Sequence, residues 1–199
     1  MIYFGAATAA ATVASVAIVD VVSIFVTGRR LRDQGGWLIL DEAYIDFCPE
    51  ASTVDLLAQY PNLAILRTLS KAFALAGLRC GFTLSSQNVI TLLSKVIAPY
   101  PIAAPVAEIA SKALTNDLSI MQARVNTAND LRGQLTIWLK QQKWCNEVFD
   151  SNANFVLFRC NNSDEKNNVF NLLVEHNILI RDQSKQQQLE NCLRISIGS

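Results

Sequence analysis

The sequence predicts an α/β fold, and three observations carry that prediction. Trp37-Leu38-Ile39-Leu40 and Leu63-Ala64-Ile65-Leu66 are short, continuous apolar runs, the pattern of strands buried on both faces of a parallel sheet. Each run ends in polar residues, Asp41-Glu42-Ala43-Tyr44 after the first and Thr68-Leu69-Ser70-Lys71 after the second. An acid and an amine at strand carboxyl ends are what a ligand crevice in such a sheet requires. The rest of the chain alternates helical and strand-like periodicity.

The elements follow in order. Trp37 to Leu40 forms the first strand of the orderly region. Ser52, followed by Val54, Leu56, Leu57 and Tyr60, predicts a capped helix stopped by Pro61. Leu63 to Arg67 and Cys80 to Leu84 are further strands. Ser86 to Ile97 is a helix closed by the Pro99-Tyr100-Pro101 turn. Pro105 opens a helix through Leu114, and a long amphipathic helix runs from Asp117 to about Gln141. That helix pair is expected to bridge a larger domain to a smaller one. The small domain has strands at Asn154–Arg159, Ile178–Arg181 and Leu193–Ile197 and a helix from Asp164 to His176, with no strand order fixed by pattern alone.

Composition excludes several function classes. The 199 residues are 51% apolar and 17% charged, so the chain folds rather than staying disordered. Seventeen basic and seventeen acidic residues cancel, leaving no footprint for nucleic acid or anionic lipid. Cys48, Cys80, Cys145, Cys160 and Cys192 are odd in number and scattered, which reads as reduced thiols in a cytoplasmic protein. His176 is the sole histidine, so a multi-histidine metal site is impossible; it reads as a helix-end cap or a solvated residue.

The likeness to known proteins rests on four stretches in order. They are Asp41-Glu42-Ala43-Tyr44; Ser70-Lys71 with Arg79; Lys95-Val96-Ile97-Ala98-Pro99-Tyr100-Pro101; and Arg181 with Leu193-Arg194-Ile195. From Gly36 to Ser199 the chain resembles the fold type I aminotransferases that use pyridoxal 5'-phosphate (PLP), and within them the histidinol-phosphate aminotransferase family. The resemblance implies a partial PLP-binding large domain over 36–104 and bridging helices with a small C-terminal α/β domain over 105–199, the family's closing helix being absent. Met1 to Gly35 does not match, and the family's Asn-Pro-Thr-Gly turn does not occur. That segment is rich in alanine, valine and threonine; a foreign stretch arising from a frameshift, rearrangement or misplaced start is favoured over a buried helix or a membrane span.

The resemblance gives the residues roles that suit their chemistry. Lys71 is the Schiff-base lysine and general base, since an amine that attacks an aldehyde must be held still in a shielded place. Asp41 keeps the PLP ring nitrogen protonated, and Tyr44 donates to the ring oxygen. Ser70 and Arg79 hold the phosphate, with Thr68 nearby and Gly77 permitting close backbone approach. Arg194, with Arg181, binds an anionic group of the substrate; Tyr100 and Asn154 lie beside the same pattern. Each has a plainer reading: a surface lysine, a solvated strand-end aspartate, a packing tyrosine, a capping serine, edge-strand arginines. Glu42, Asp46 and Glu50 read as a solvated acidic loop. The implied function is transamination between histidinol phosphate and 2-oxoglutarate in histidine biosynthesis, by a cytoplasmic homodimer. The alternatives are a catalytically inactive remnant and a PLP enzyme acting on an aromatic or other related substrate.

Overall fold

A computed structural model of the chain describes residues 2–4 and 33–198. The atypical segment before Gly36 lies almost wholly outside the described residues. The described chain divides into two compact units, 2–4 with 33–125 and 126–198.

In the first unit the apolar runs pair as expected. Strands β1 (Ile2–Phe4), β2 (Trp37–Asp41), β3 (Leu63–Thr68) and β4 (Gly81–Ser85) form one sheet in that order. The first three are parallel and β4 is antiparallel to β3. Because side chains alternate along a strand, the register of Asp41 beside Leu66 sorts the residues by face. Leu38, Leu63 and Ile65 share one face and form a core with Tyr60, against which Leu40, Leu56, Leu57 and Leu84 pack. Asp41 and Thr68 belong to the other face, where Leu66 is exposed.

The helix expected from Ser52 is instead a short 3-10 turn over Val54–Ala58. The backbone N–H and hydroxyl of Thr53 are both committed to the Glu42 carboxylate, at 2.7 and 2.8 Å, which fixes the entry in a non-helical geometry. Pro61 then leaves no room for a further turn. Helices α1 (Gln87–Val96) and α2 (Ala104–Thr115) fall where periodicity predicts them, and Pro105 occupies the first turn of α2, where its missing N–H costs nothing. The division between units falls within α3 (Leu118–Lys140).

The second unit adds a strand that the pattern did not reveal, β5 (Cys145–Val148). With β6 (Phe155–Cys160), β7 (Arg181–Asp182) and β8 (Cys192–Ser196) it makes a wholly antiparallel sheet in the order β5-β6-β8-β7. Both faces of β6 are covered. Val156, Phe158 and Cys160 pack with Leu139 and Leu193, and Leu157 packs with Leu189 and Cys192.

Helix α4 (Ser163–Glu175) starts at Asn162, whose side chain accepts the Glu165 N–H at 2.9 Å. It ends at His176 and Asn177, the latter left-handed with φ of 59°. The Ile178 N–H bonds the Leu173 carbonyl and the Asn177 N–H that of Val174, a Schellman closure. That closure consumes the start of the strand expected from Ile178, so β7 keeps only Arg181 and Asp182. His176 is a helix cap, its Nδ1 lying 2.8 Å from the Leu172 carbonyl.

Candidate active site

The candidate site is built at the carboxyl ends of β2 and β3. Asp41 closes β2 as an exposed residue, and its Oδ1 accepts the Ala43 N–H at 3.0 Å. That bond curls the chain into a turn through Tyr44. The Tyr44 ring leans on Phe47 with centroids 6.4 Å apart, and Phe47 is buried. Lys71, half-buried, sets its Nζ 5.0 Å from the centroid of the Tyr44 ring. The amine from one strand end thus meets the phenol from the other, a contact that favours a cation over an aromatic face.

Lys71 is held by a tightly bonded loop. The Thr68 hydroxyl accepts the Ser70 N–H at 3.1 Å and lies 2.8 Å from the Ser70 hydroxyl and 3.3 Å from the Cys80 carbonyl. Leu69 bonds the same carbonyl through its N–H, and the Ala74 N–H bonds the Lys71 carbonyl. Leu69, Ala72 and Phe73 are buried and anchor the loop on both sides of Lys71. Ala74 and Arg79 both have left-handed backbones, φ of 58° and 53°. Non-glycine residues there are strained, and such strain gathers at functional sites. Arg79 is exposed, its Nη1 donating to the Ala76 carbonyl at 3.2 Å.

Sterics demand a glycine at Gly81. A Cβ there would lie 2.7 Å from the Arg67 carbonyl oxygen, across the β3–β4 ladder. At Gly77 a Cβ would meet nothing within 4 Å, so nothing in the chain itself requires glycine there.

Of the acidic loop, Glu50 is exposed as expected, Asp46 is half-buried and Glu42 is not solvated. Glu42 is 7% exposed and accepts Arg67 Nε at 3.0 Å and Nη2 at 2.8 Å, besides the two Thr53 donors. Arg67 Nη2 also donates to the Ser52 hydroxyl at 2.7 Å. Burial pushes the Asp46 carboxyl up; Arg67 opposes that and Glu42 adds to it. Pattern reading missed this pair because nothing local gives the register that sets Glu42 beside Arg67.

Arg181 and Arg194 belong to the second unit. They stand directly opposite each other on β7 and β8. The Arg194 guanidinium lies 4.9 Å from the Phe155 ring centroid, and Arg181 is exposed. Beside them Asp182 accepts from Lys166 at 2.7 Å and from the Ser184 N–H at 2.8 Å. Burial raises the Asp182 carboxyl, but the Lys166 and Ser184 donors outweigh it and hold it below the usual range. Tyr100 is 93% exposed, and Asn154 is half-buried just ahead of β6.

All five cysteines are free, and burial pushes the Cys160 and Cys192 thiols up to about 11. Among the described residues no group of acidic, cysteine or histidine side chains suits a metal ion, and no helix is long and apolar enough to cross a membrane.

The first unit carries the kinds of group that PLP calls for, an amine, a strand-end carboxylate, a phenol, hydroxyls and a guanidinium, and brings Lys71 to Tyr44 and Thr68 to Ser70.

Comparison with known proteins agrees with this chemistry. Residues 28–199 match the family described as aminotransferase class I and II, a match that begins ahead of Gly36, where the motif resemblance starts. The chain is 77% identical over 167 residues to the histidinol-phosphate aminotransferase of Colwellia psychrerythraea, covering 81% of this chain and 45% of that protein. It is 53% identical over 163 residues to that of Blochmanniella pennsylvanica, with the same shares covered. The chain therefore spans about half the length of the curated relatives it matches. Among solved structures, the histidinol-phosphate aminotransferase of Clostridium acetobutylicum superposes with a TM-score of 0.78 at 24% identity, covering 88% of this chain and 53% of that one. That of Sinorhizobium meliloti, in complex with pyridoxal-5'-phosphate, gives 0.70 at 26% identity, covering 81% and 44%.

Proposed function

The chain belongs to the class I and II aminotransferase family, and on that premise we propose that it is the PLP-binding and substrate-binding part of a histidinol-phosphate aminotransferase. Its reaction is amino transfer between histidinol phosphate and 2-oxoglutarate in histidine biosynthesis. The observation that carries the reading is the Lys71 amine 5.0 Å from the Tyr44 ring centroid, which brings the end of β3 to the turn that follows Asp41 at the end of β2. The names of the relatives at 77% and 53% identity support the substrate.

Bound PLP supplies a carbonyl carbon and an electron-withdrawing ring. Lys71 would hold the cofactor at that carbon and, once a substrate amine has displaced it, its freed amine would move a proton at the substrate α-carbon. Asp41 keeps a proton on the ring nitrogen by charge and hydrogen bond. Its Oδ1 is fixed by Ala43, so the carboxylate has a set direction. Tyr44 donates from its phenol to the ring oxygen, and Ser70, Thr68 and Arg79 hold the phosphate. Arg181 and Arg194 hold a substrate carboxylate or phosphate. Like charges directly opposite in a ladder repel, and an anion between them removes that cost. The assignment places the partial large domain at 36–104 and the bridging helices with the small domain at 105–199. A cytoplasmic homodimer completes the reading, supported by exposed apolar residues Val96, Ile97 and Tyr100 and by free cysteines.

The test is to incubate the purified chain with PLP, reduce with borohydride and map the adduct by mass spectrometry. A single adduct on Lys71, lost in Lys71→Ala, is expected, followed by a donor screen favouring histidinol phosphate over aromatic amino acids. Scattered labelling of other lysines, or none, would overturn cofactor binding and leave an inactive relative of the family.

A further inference from the structure

We infer that the Glu42–Arg67 pair is a positioning brace that fixes the spacing between the Asp41–Tyr44 turn and the Thr68–Lys71 turn. The inference rests on the reading of those turns as the cofactor site, and goes beyond it by naming residues that hold the site without touching its ligand. Parity along the strands makes the separation. Asp41 and Thr68 share one sheet face, and Glu42 and Arg67 continue the opposite one, where Leu38, Leu63 and Ile65 form the core. Neither brace residue therefore shares the face of Asp41 and Thr68.

The brace is nonetheless next to both turns. Glu42 follows Asp41, and Arg67 precedes Thr68. The Glu42 N–H bonds the Leu66 carbonyl at 2.8 Å, and its own carbonyl accepts the Ile45 N–H at 3.1 Å. Its carboxylate receives both Nε and Nη2 of Arg67 and both donors of Thr53. Arg67 Nη2 in turn reaches Ser52. One carboxylate thus ties β2, β3 and the 52–53 segment together immediately below the turns. A forked guanidinium fixes orientation as well as distance, which a single lysine contact does not. The Arg67 carbonyl meanwhile crowds Gly81, so β4 approaches at the same height.

Backbone hydrogen exchange on the full chain without PLP decides the matter. In Glu42→Gln, the Ala43, Ile45, Ser70 and Ala74 amides are expected to exchange about tenfold faster, while β2 and β3 interior amides change less than about twofold. Arg67→Lys, which keeps the charge and loses the fork, should show the same pattern at about threefold. An equal acceleration of every amide in the unit, or a change confined to Thr53 and Val54, would overturn the brace. As a second measure, the PLP concentration that half-saturates Lys71 labelling should rise about tenfold in Glu42→Gln. Absence of Lys71 labelling in the unsubstituted chain would sink the proposed function alone, with the exchange pattern still judging the brace.

Discussion

The two sheets of this chain solve opposite problems. The second unit's sheet is covered on both faces around β6, where Val156, Leu157 and Phe158 are all fully buried. The first unit's sheet packs Leu38, Leu63 and Ile65 into a core on one face, has Leu66 exposed on the other, and gives the carboxyl ends of its strands to polar side chains. Where the second unit is held by apolar area, the first holds its site with directional bonds. Apolar burial stabilises without regard to direction; a site that must orient an amine and a carboxylate needs fixed donors and acceptors.

Four experiments put that contrast at risk. Phe158→Ala should have the greatest consequence, because it leaves a cavity beside Trp144, whose ring lies 5.7 Å from that of Phe158. It should destabilise the second unit by about 4 kcal/mol in denaturant unfolding. Leu66→Ala, on the exposed side of the first sheet, should cost under about 1 kcal/mol. Comparable losses would show that both sheets rely on buried area alike.

Next comes the contrast between ion pairs. Glu42→Ala strands a partly buried guanidinium and should cost about 3 kcal/mol. Asp182→Asn should cost about 0.5 kcal/mol near neutral pH, because the Lys166–Asp182 pair is partly exposed. The Asp182 carboxyl sits below its ordinary value, so its contribution is present above the usual carboxylate range and is lost as pH falls through the folded value. An acid titration of stability should therefore flatten in Asp182→Asn.

A smaller pair concerns glycines. Gly81→Ala forces a Cβ against the Arg67 carbonyl and should cost about 2 kcal/mol. Gly77→Ala meets open space and should change stability by no more than about 0.5 kcal/mol. Thermal melts of the two variants measure the difference.

The last effect is chemical. With Cys160 and Cys192 raised to about 11, the native thiols should resist alkylation at pH 8, reacting only as the second unit unfolds. An acid raised by folding favours its protonated form, so the second unit should lose stability as pH climbs from about 9 toward 11. Rapid labelling of either thiol in the folded chain would contradict its burial.

Strand and helix positions were largely legible, because period-two and period-3.6 patterns are local. The helix that follows Ser86, the strand at Leu63 and the cap at His176 all follow from residues within a few positions of one another. What local pattern missed has two causes, one long-range and one local. The 3-10 turn at Val54–Ala58 exists because Thr53 is drawn to Glu42, and β7 is short because the Asn177 closure uses the residues before it. The candidate site divides the same way. Asp41, Tyr44, Ser70 and Lys71 were legible as candidates near the ends of apolar strands, and Arg79, Arg181 and Arg194 as candidates by residue type. The Lys71–Tyr44 contact, the facing of Arg181 and Arg194, and the Glu42–Arg67 pair were not.

The α/β class, most element positions and the chemical inventory of the site are written in the chain itself, because periodicity and side-chain chemistry are properties of neighbouring residues. Folding in three dimensions settles which strand ends stand side by side, which face each side chain takes, and that Glu42 of the acidic loop is buried against Arg67. Those depend on strand register, where a shift of one residue turns every side chain to the opposite face.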